Sequence, residues 1–174
     1  MKKTKILFLF ILFFLFSASE KSENEESLFF YVGDQLEIEF LKHGELYMKN
    51  ENFFIKKIDV ELANKAIEIK NGLMYRSFLK ENRGMLFLLT NKEDIHQINM
   101  KNMRIPLDII YIDYFNTIVL INKYVYPMNR IEKINEINIP RIKYILEINA
   151  GMADKWGIQQ GKTKIFLTNT NNKY

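Results

Sequence analysis

Short apolar runs alternate with polar, turn-forming residues from Leu28 onward, and this spacing is typical of β-strands. The pattern predicts a mainly β fold, a compact antiparallel β-barrel or sandwich with one or two short helices. The predicted strands are Leu36–Phe40, Glu45–Met48, Phe54–Leu62, Met85–Leu89, Ile95–Met103, Leu107–Asp113, Thr117–Asn122, Lys143–Asn149 and Lys164–Leu167.

The segment LDIIYID is apolar on both faces of its predicted strand. One face carries Leu107, Ile109 and Tyr111, and the other carries Ile110 and Ile112, because successive side chains of a strand point to opposite sides. We therefore expect a central strand here.

Two short helices are expected between the strands. Asn64 is placed to cap a helix at Lys65–Asn71, and Gly72 is suited to end it in a left-handed conformation. A second helix of one or two turns is expected at Gly151–Trp156, closed by Gly157.

The N-terminus has the three parts of a secretory signal peptide. Lysines precede the apolar run Ile6–Phe16, and small residues at 17–19 follow it. The run reaches about half of a ~30 Å hydrocarbon core, which favours a cleaved signal peptide at 1–19 over an uncleaved anchor. A flexible polar lead at 20–27 and a single β-rich domain at 28–174 are expected to follow.

Charge and residue content exclude several function classes. Without residues 1–19 the chain has 22 basic and 21 acidic residues, so we expect no nucleic-acid partner. The absence of cysteine excludes disulfides, thiolate metal sites and lipid attachment at an N-terminal cysteine. His43 and His96 stand apart from other ligand-type residues, and no cofactor-binding motif occurs, so neither metal nor cofactor is expected.

Four motifs resemble a known bacterial and archaeal family, domain of unknown function 192. They are GLMYR from Gly72, RGMLF from Arg83, MKNMRIPLDIIYID from Met100 and LEINAG from Leu146, followed by a pair of glycines at 157 and 161. The order and spacing match from about Ile58 to Ile165.

The resemblance implies a compact, mainly antiparallel β-barrel or sandwich, often exported, with no established activity. The chain departs from the family pattern at Asn99, where an aromatic residue is usual. It also lacks the usual tyrosine and serine turn between Pro127 and Arg141.

The motifs contain six polar residues as ligand-binding candidates: Arg76, Arg83, Lys101, Asn102, Asp108 and Glu147. Asp108 shares a strand face with isoleucines, as does Glu147, so both carboxylates are expected to be partly buried and in need of a partner. Arg76 and Lys101 are the expected cations for Asp108.

Three interpretations of these candidates stay open. The charged groups could form structural ion pairs, or they could bind a polar ligand at the mouth of the barrel. Alternatively, Asp108 and Glu147 could act as a catalytic acid and base.

The sequence therefore predicts an exported domain of the periplasm or the extracytoplasmic face of the envelope. It is expected to be a non-catalytic binding or accessory module for a polar ligand or an envelope protein, touching the membrane only through an uncleaved signal peptide. The alternatives are an envelope hydrolase that uses the carboxylate pair and a structural interaction domain with an exposed sheet edge.

Overall fold

A computed structural model describes residues 38–90, 99–127 and 142–169, all within one structural unit that begins at Ile38. These residues form seven strands and two short helices. In chain order they are β1 (Gly44–Asn50), β2 (Phe53–Ala63), α1 (Ala66–Asn71), β3 (Arg83–Leu88), β4 (Leu107–Asp113), β5 (Ile118–Val125), β6 (Ile142–Asn149), α2 (Met152–Lys155) and β7 (Thr163–Asn169).

All seven strands belong to one sheet, in the order β5-β4-β6-β3-β2-β1-β7. Every pair is antiparallel except β2 and β3, which are parallel and are connected through α1. The mainly β prediction is confirmed, with one parallel pair that the pattern did not indicate.

The two ends of the sheet approach each other without closing it into a complete barrel. Thr117, just before β5, forms an isolated bridge with Lys164 of β7. The Ile165 N–H donates to the Asn116 carbonyl at 2.9 Å, beside this bridge. The result is a curved, barrel-like sheet whose edge strands contact each other at one point.

Two hydrophobic cores lie on opposite faces of the sheet. One face, here called the α1 face, carries Leu107, Ile109 and Tyr111 together with α1 residues. The other, the α2 face, carries Ile110 and Ile112 together with α2 residues. All seven residues of β4 are buried, which confirms the expected two-sided strand.

The helix α1 begins one residue later than expected. Lys65, and not Asn64, is its N-cap residue. The Glu68 carboxylate accepts the backbone N–H groups of Asn64 at 3.1 Å and of Lys65 at 3.2 Å, so an acidic side chain in the first turn satisfies the free donors. Gly72 ends the helix as expected, but with φ at +47° and ψ at −130° and therefore not in the left-handed helical conformation.

Two predicted strands are wrong where the structure describes them. Residues 38–40 are not in a strand, and Leu36 and Glu37 lie outside the described residues. Residues 99–103 form a turn, in which the Asn99 carboxamide oxygen accepts the Lys101 N–H at 2.9 Å and Asn102 has φ at +58°. Asparagine stabilises such turns locally, and this outweighs the apolar pattern.

The remaining expectations about chain organisation fall on residues that the structure does not describe. These are the signal peptide at 1–19, the polar lead at 20–27 and the first part of the strand predicted at Ile95–Met103. Among the described residues, no helix is long and apolar enough to cross a membrane.

Candidate functional site

One row of side chains crosses the α1 face from β2 to β5. The strand register aligns Glu61 with Met85, Met85 with Glu147, Glu147 with Ile109, and Ile109 with Asn122. Neighbouring strands lie about 4.8 Å apart, so the Cα atoms of Glu61 and Glu147 are separated by roughly 10 Å. The row therefore places two carboxylates on one buried face.

Glu147 is a buried carboxylate without a partner in the described part of the chain. Its residue is only 4% exposed, and its side chain makes no hydrogen bond or ion pair there. Burial, which disfavours the charged form, raises the pKa of Glu147 to about 8. The oxygen atoms of Glu147 can therefore still accept hydrogen bonds.

A small pocket lies between Glu147 and the end of α1, with about 10 Å³ of space for the centre of a water-sized group. It is lined by residues that include Gly72, Met74, Phe87, Asn99, Met103 and Glu147. The lining also includes Lys70 and Asn71, so it is mixed apolar and polar, and Glu147 is its one carboxylate.

Only glycine fits at position 72, because of its backbone conformation and because of the space around it. Its φ and ψ are +47° and −130°, a region closed to residues with a side chain. A Cβ atom there would lie 3.1 Å from Phe87 Cζ and 3.8 Å from Glu147 Oε2. The GLMYR glycine thus ends α1 and leaves room beside the carboxylate.

Tyr111 is a second buried polar group on the α1 face. Its hydroxyl finds no hydrogen bond of normal geometry among the described residues. Burial and the negative charge of Glu147 raise the pKa of Tyr111, while Asn122 lowers it slightly. Tyr111 is therefore neutral, and it lies close enough to Glu147 for the charge of that carboxylate to affect its pKa.

Arg76 pairs with Glu61 and not with Asp108. Arg76 Nη2 lies 2.6 Å from Glu61 Oε2, and both side chains are almost fully buried. The other Glu61 oxygen accepts the Leu41 N–H at 2.5 Å. The expectation that Arg76 would neutralise Asp108 is wrong, because the polar row brings Glu61 to it instead.

Asp108 lies on the α2 face and is held by backbone groups. Its oxygens accept the N–H of Tyr124 at 2.9 Å and the N–H of Ala153, in the first turn of α2, at 2.8 Å. The residue is fully buried. Two backbone donors replace the expected cation, and Asp108 anchors β5 and α2 to β4.

The proposed acid and base pair is not formed. Asp108 aligns with Ile148 and Glu147 aligns with Ile109 on the neighbouring strands, so the two carboxylates point to opposite faces of the sheet. A single substrate cannot touch both of them without passing through the sheet.

The other three candidates do not converge on Glu147. The Arg83 guanidinium lies over the Phe40 ring, 4.3 Å from its centroid. Lys101 is exposed. Asn102 Nδ2 donates to the Tyr75 hydroxyl at 2.7 Å and the Asn102 carbonyl accepts the Tyr75 N–H at 3.0 Å, which ties two loops together.

Of the six sequence candidates, Glu147, Arg76 and Arg83 thus lie on the α1 face, and Arg83 is turned towards Phe40. Glu61 and Tyr111 belong to the same face and were missed, because each stands inside an apolar run that predicts only core. In the described ranges, no three His, Asp or Glu side chains lie close enough together to hold a metal ion.

The family comparison matches residues 47–165 to domain of unknown function 192, described as uncharacterized ACR. The chain belongs to this family. The match includes both the pocket beside α1 and the Asp108 anchor, so these features lie inside the family domain. No protein with a curated description matches the chain.

Two solved structures share the fold. One is a protein from Sinorhizobium meliloti 1021, provisionally described as a transcription regulator; it has a TM-score of 0.60 and 25% identity, over 75% of this chain and 97% of that one. The other is a protein of unknown function from Novosphingobium aromaticivorans DSM 12444. Its TM-score is 0.57 and its identity 25%, over 70% of this chain and 83% of that one.

Proposed function

We propose that this member of the domain of unknown function 192 family is an exported, non-catalytic binding module that takes the ammonium end of a small ligand against Glu147. The observation that carries the proposal is the burial of a carboxylate, without a partner among the described residues, at the wall of an open pocket. In its ionised form, which a bound cation favours, the Glu147 carboxylate accepts hydrogen bonds only, so its natural complement is a donor, and a cation complements it best.

The size and lining of the pocket support recognition of one end of a ligand. Its space, about 10 Å³ for the centre of a water-sized group, holds one group of that size and is far below the range of pockets that enclose whole drug-sized molecules. The Phe87 ring and the Met74 and Met103 side chains offer apolar contact for the carbon next to an ammonium group. Aromatic faces attract cations, which adds to the attraction of the carboxylate.

The location outside the cytoplasm is part of the same proposal. It is supported by the lysines and the apolar run Ile6–Phe16 at the N-terminus, with small residues after them. The domain would then act in the periplasm or on the extracytoplasmic face of the envelope.

The alternatives have less support. A hydrolase using Asp108 and Glu147 would need both carboxylates on one face, and they lie on opposite faces. An interaction domain using a bare sheet edge has one observation in its favour, because β5 and β7 meet only near Thr117 and Lys164 and their outer edges are otherwise unpaired within the described residues. One structural neighbour is provisionally described as a transcription regulator. The net charge of residues 20–174 is only +1, which gives no support for such a role in this chain.

A thermal-shift screen tests the proposal. Small primary amines such as methylammonium and ethanolamine are compared with neutral and anionic molecules of similar size, above the Glu147 pKa of about 8. We expect amines alone to raise the melting temperature, and Glu147→Gln to abolish the effect. The exposed Glu81→Gln variant is the matched control. Equal stabilisation of wild type and Glu147→Gln would contradict the proposal.

A further inference from the structure

The two most exposed aromatic residues in the described part of the chain lie at separate places in the sequence. Phe53, at the start of β2, is 75% exposed, and Phe115, between β4 and β5, is 81% exposed. Phe54 and Tyr114, their neighbours in sequence, are also exposed. Phenylalanine has no polar group to gain from water, so such exposure indicates a surface with a use.

The sheet connects these two places. In cross-strand register, Thr117 pairs with Lys164, Lys164 with Lys49, and Lys49 with Phe54. Three strand spacings give a row of roughly 14 Å. Aromatic residues therefore lie near both ends of the row, and two lysines lie in its middle.

The lysines of this region are not neutralised within the described residues. Lys49, Lys162 and Lys164 have no acidic partner there, in contrast to Lys57, which pairs with Glu45 at 3.1 Å. Lys49 Nζ lies 5.3 Å from the centroid of the Phe166 ring. We name this area the aromatic–lysine surface: Lys49, Phe54, Tyr114, Phe115, Lys162, Lys164 and Phe166. Phe53 is left out because it follows Asn50 in register and points to the opposite face from Phe54.

We propose that the aromatic–lysine surface docks on an anionic lipid bilayer. The aromatic side chains at both ends of the row would enter the interfacial region, and the lysines between them would contact phosphate groups. Aromatic residues prefer this region, and each lysine near an anionic membrane adds to the attraction. The membrane is thereby contacted by the folded domain itself, independently of the N-terminal run and of the pocket at Glu147.

The aromatic–lysine surface suits a lipid bilayer better than it suits a single-stranded nucleic acid. Stacking of bases needs open ring faces. The Phe166 ring already faces the Lys49 ammonium, and the Tyr47 ring faces that of Lys57 at 5.8 Å. The exposed rings Phe54 and Phe115 lie at the two ends of the row, where they suit shallow insertion.

Hydrogen–deuterium exchange of the full chain on vesicles tests this proposal. Vesicles of phosphatidylcholine mixed with phosphatidylglycerol are compared with vesicles of phosphatidylcholine alone. We expect slower exchange at 50–54 and 114–117 on the anionic vesicles only. Because protection is measured at these two segments, attachment through the N-terminal run cannot imitate the result.

Variants sharpen the test. Replacement of Lys49 and Lys164 by glutamine should weaken association about fivefold for each lysine, read as lost protection at fixed lipid concentration. Phe54→Ser with Phe115→Ser should also remove protection. Phe78→Ser is the matched control, since Phe78 is 56% exposed and lies outside the surface.

Thermal melts of all variants establish that they remain folded. Equal protection on neutral and anionic vesicles, or none at the two segments, would overturn the proposal. Tighter binding to a single-stranded oligonucleotide, lost in the lysine variants, would also overturn it and assign the surface to nucleic acid.

Discussion

Asp108 and Glu147 lie on adjacent strands, β4 and β6, yet their side chains point to opposite faces of the sheet. Asp108 accepts two backbone N–H groups on the α2 face, whereas Glu147 has no partner among the described residues on the α1 face. The two carboxylates therefore have different roles, one structural and one available to a ligand.

Asp108→Asn should destabilise the domain. The asparagine amide group would place a donor against the N–H of either Tyr124 or Ala153, and one buried N–H would lose its acceptor. We expect a loss of about 2 kcal/mol or more in the free energy of unfolding, measured by urea denaturation. Asp154→Asn, at an exposed position of α2, is the control and should cost less. An unchanged urea denaturation curve for Asp108→Asn would refute the anchoring role.

The stability of the domain should fall as the pH rises from about 5 to about 8. The pKa of Glu147 is raised from 4.5 to about 8, so in this range the folded protein holds a proton that the unfolded chain has lost. Stability is then lost with increasing pH, by at most about 1.4 kcal/mol per pH unit.

The Glu147→Gln variant isolates this contribution, because all other groups titrate alike in both proteins. Urea denaturation at several pH values should show the variant gaining stability relative to wild type as the pH rises. Glu81→Gln, on the surface, should not gain in this way. A constant difference between wild type and Glu147→Gln would show that Glu147 is ionised normally.

Arg76→Gln should lower the free energy of unfolding more than the double variant Glu61→Gln with Arg76→Gln does. The single change leaves the Glu61 carboxylate buried without its cation, at a typical cost of about 3 to 5 kcal/mol. The double change removes both charges and keeps an acceptor for the Leu41 N–H. Denaturation of both variants tests this, and equal or greater loss in the double variant would contradict it.

The protein recovered from its native host should begin at Glu20. The apolar run Ile6–Phe16 is short for a membrane span, and the small residues at 17–19 suit cleavage. Intact-mass analysis settles the point. A full-length chain held in the membrane fraction would instead support an anchor.

Alternation of side chains was enough to predict the core strands. The two faces of Leu107–Asp113 and the face shared by Glu147 and Ile145 follow from a period of two, and the cores contain them as expected. The turn at 99–103 could not be predicted in this way, because the Asn99 side chain competes locally with strand formation.

The partners of the polar residues could not be read from the sequence. Arg76 and Glu61 are brought together by the parallel pairing of β2 and β3, a tertiary relationship that no local motif records. Asp108 was expected to need a cation because the sequence does not reveal that the N–H of Ala153, in α2, points at it. Glu147 was correctly expected to be buried, but its lack of a partner depends on the whole α1 face.

Carbon-13 NMR of the Glu147 carboxyl group, without and with a saturating small amine, tests the central claim most directly. Without ligand the carboxyl should titrate near its pKa of about 8. An ammonium bound against it favours the ionised form, so the account predicts a pKa well below that value when the amine is present. An identical titration curve with and without amine would contradict the claim that Glu147 receives the cationic end of a ligand.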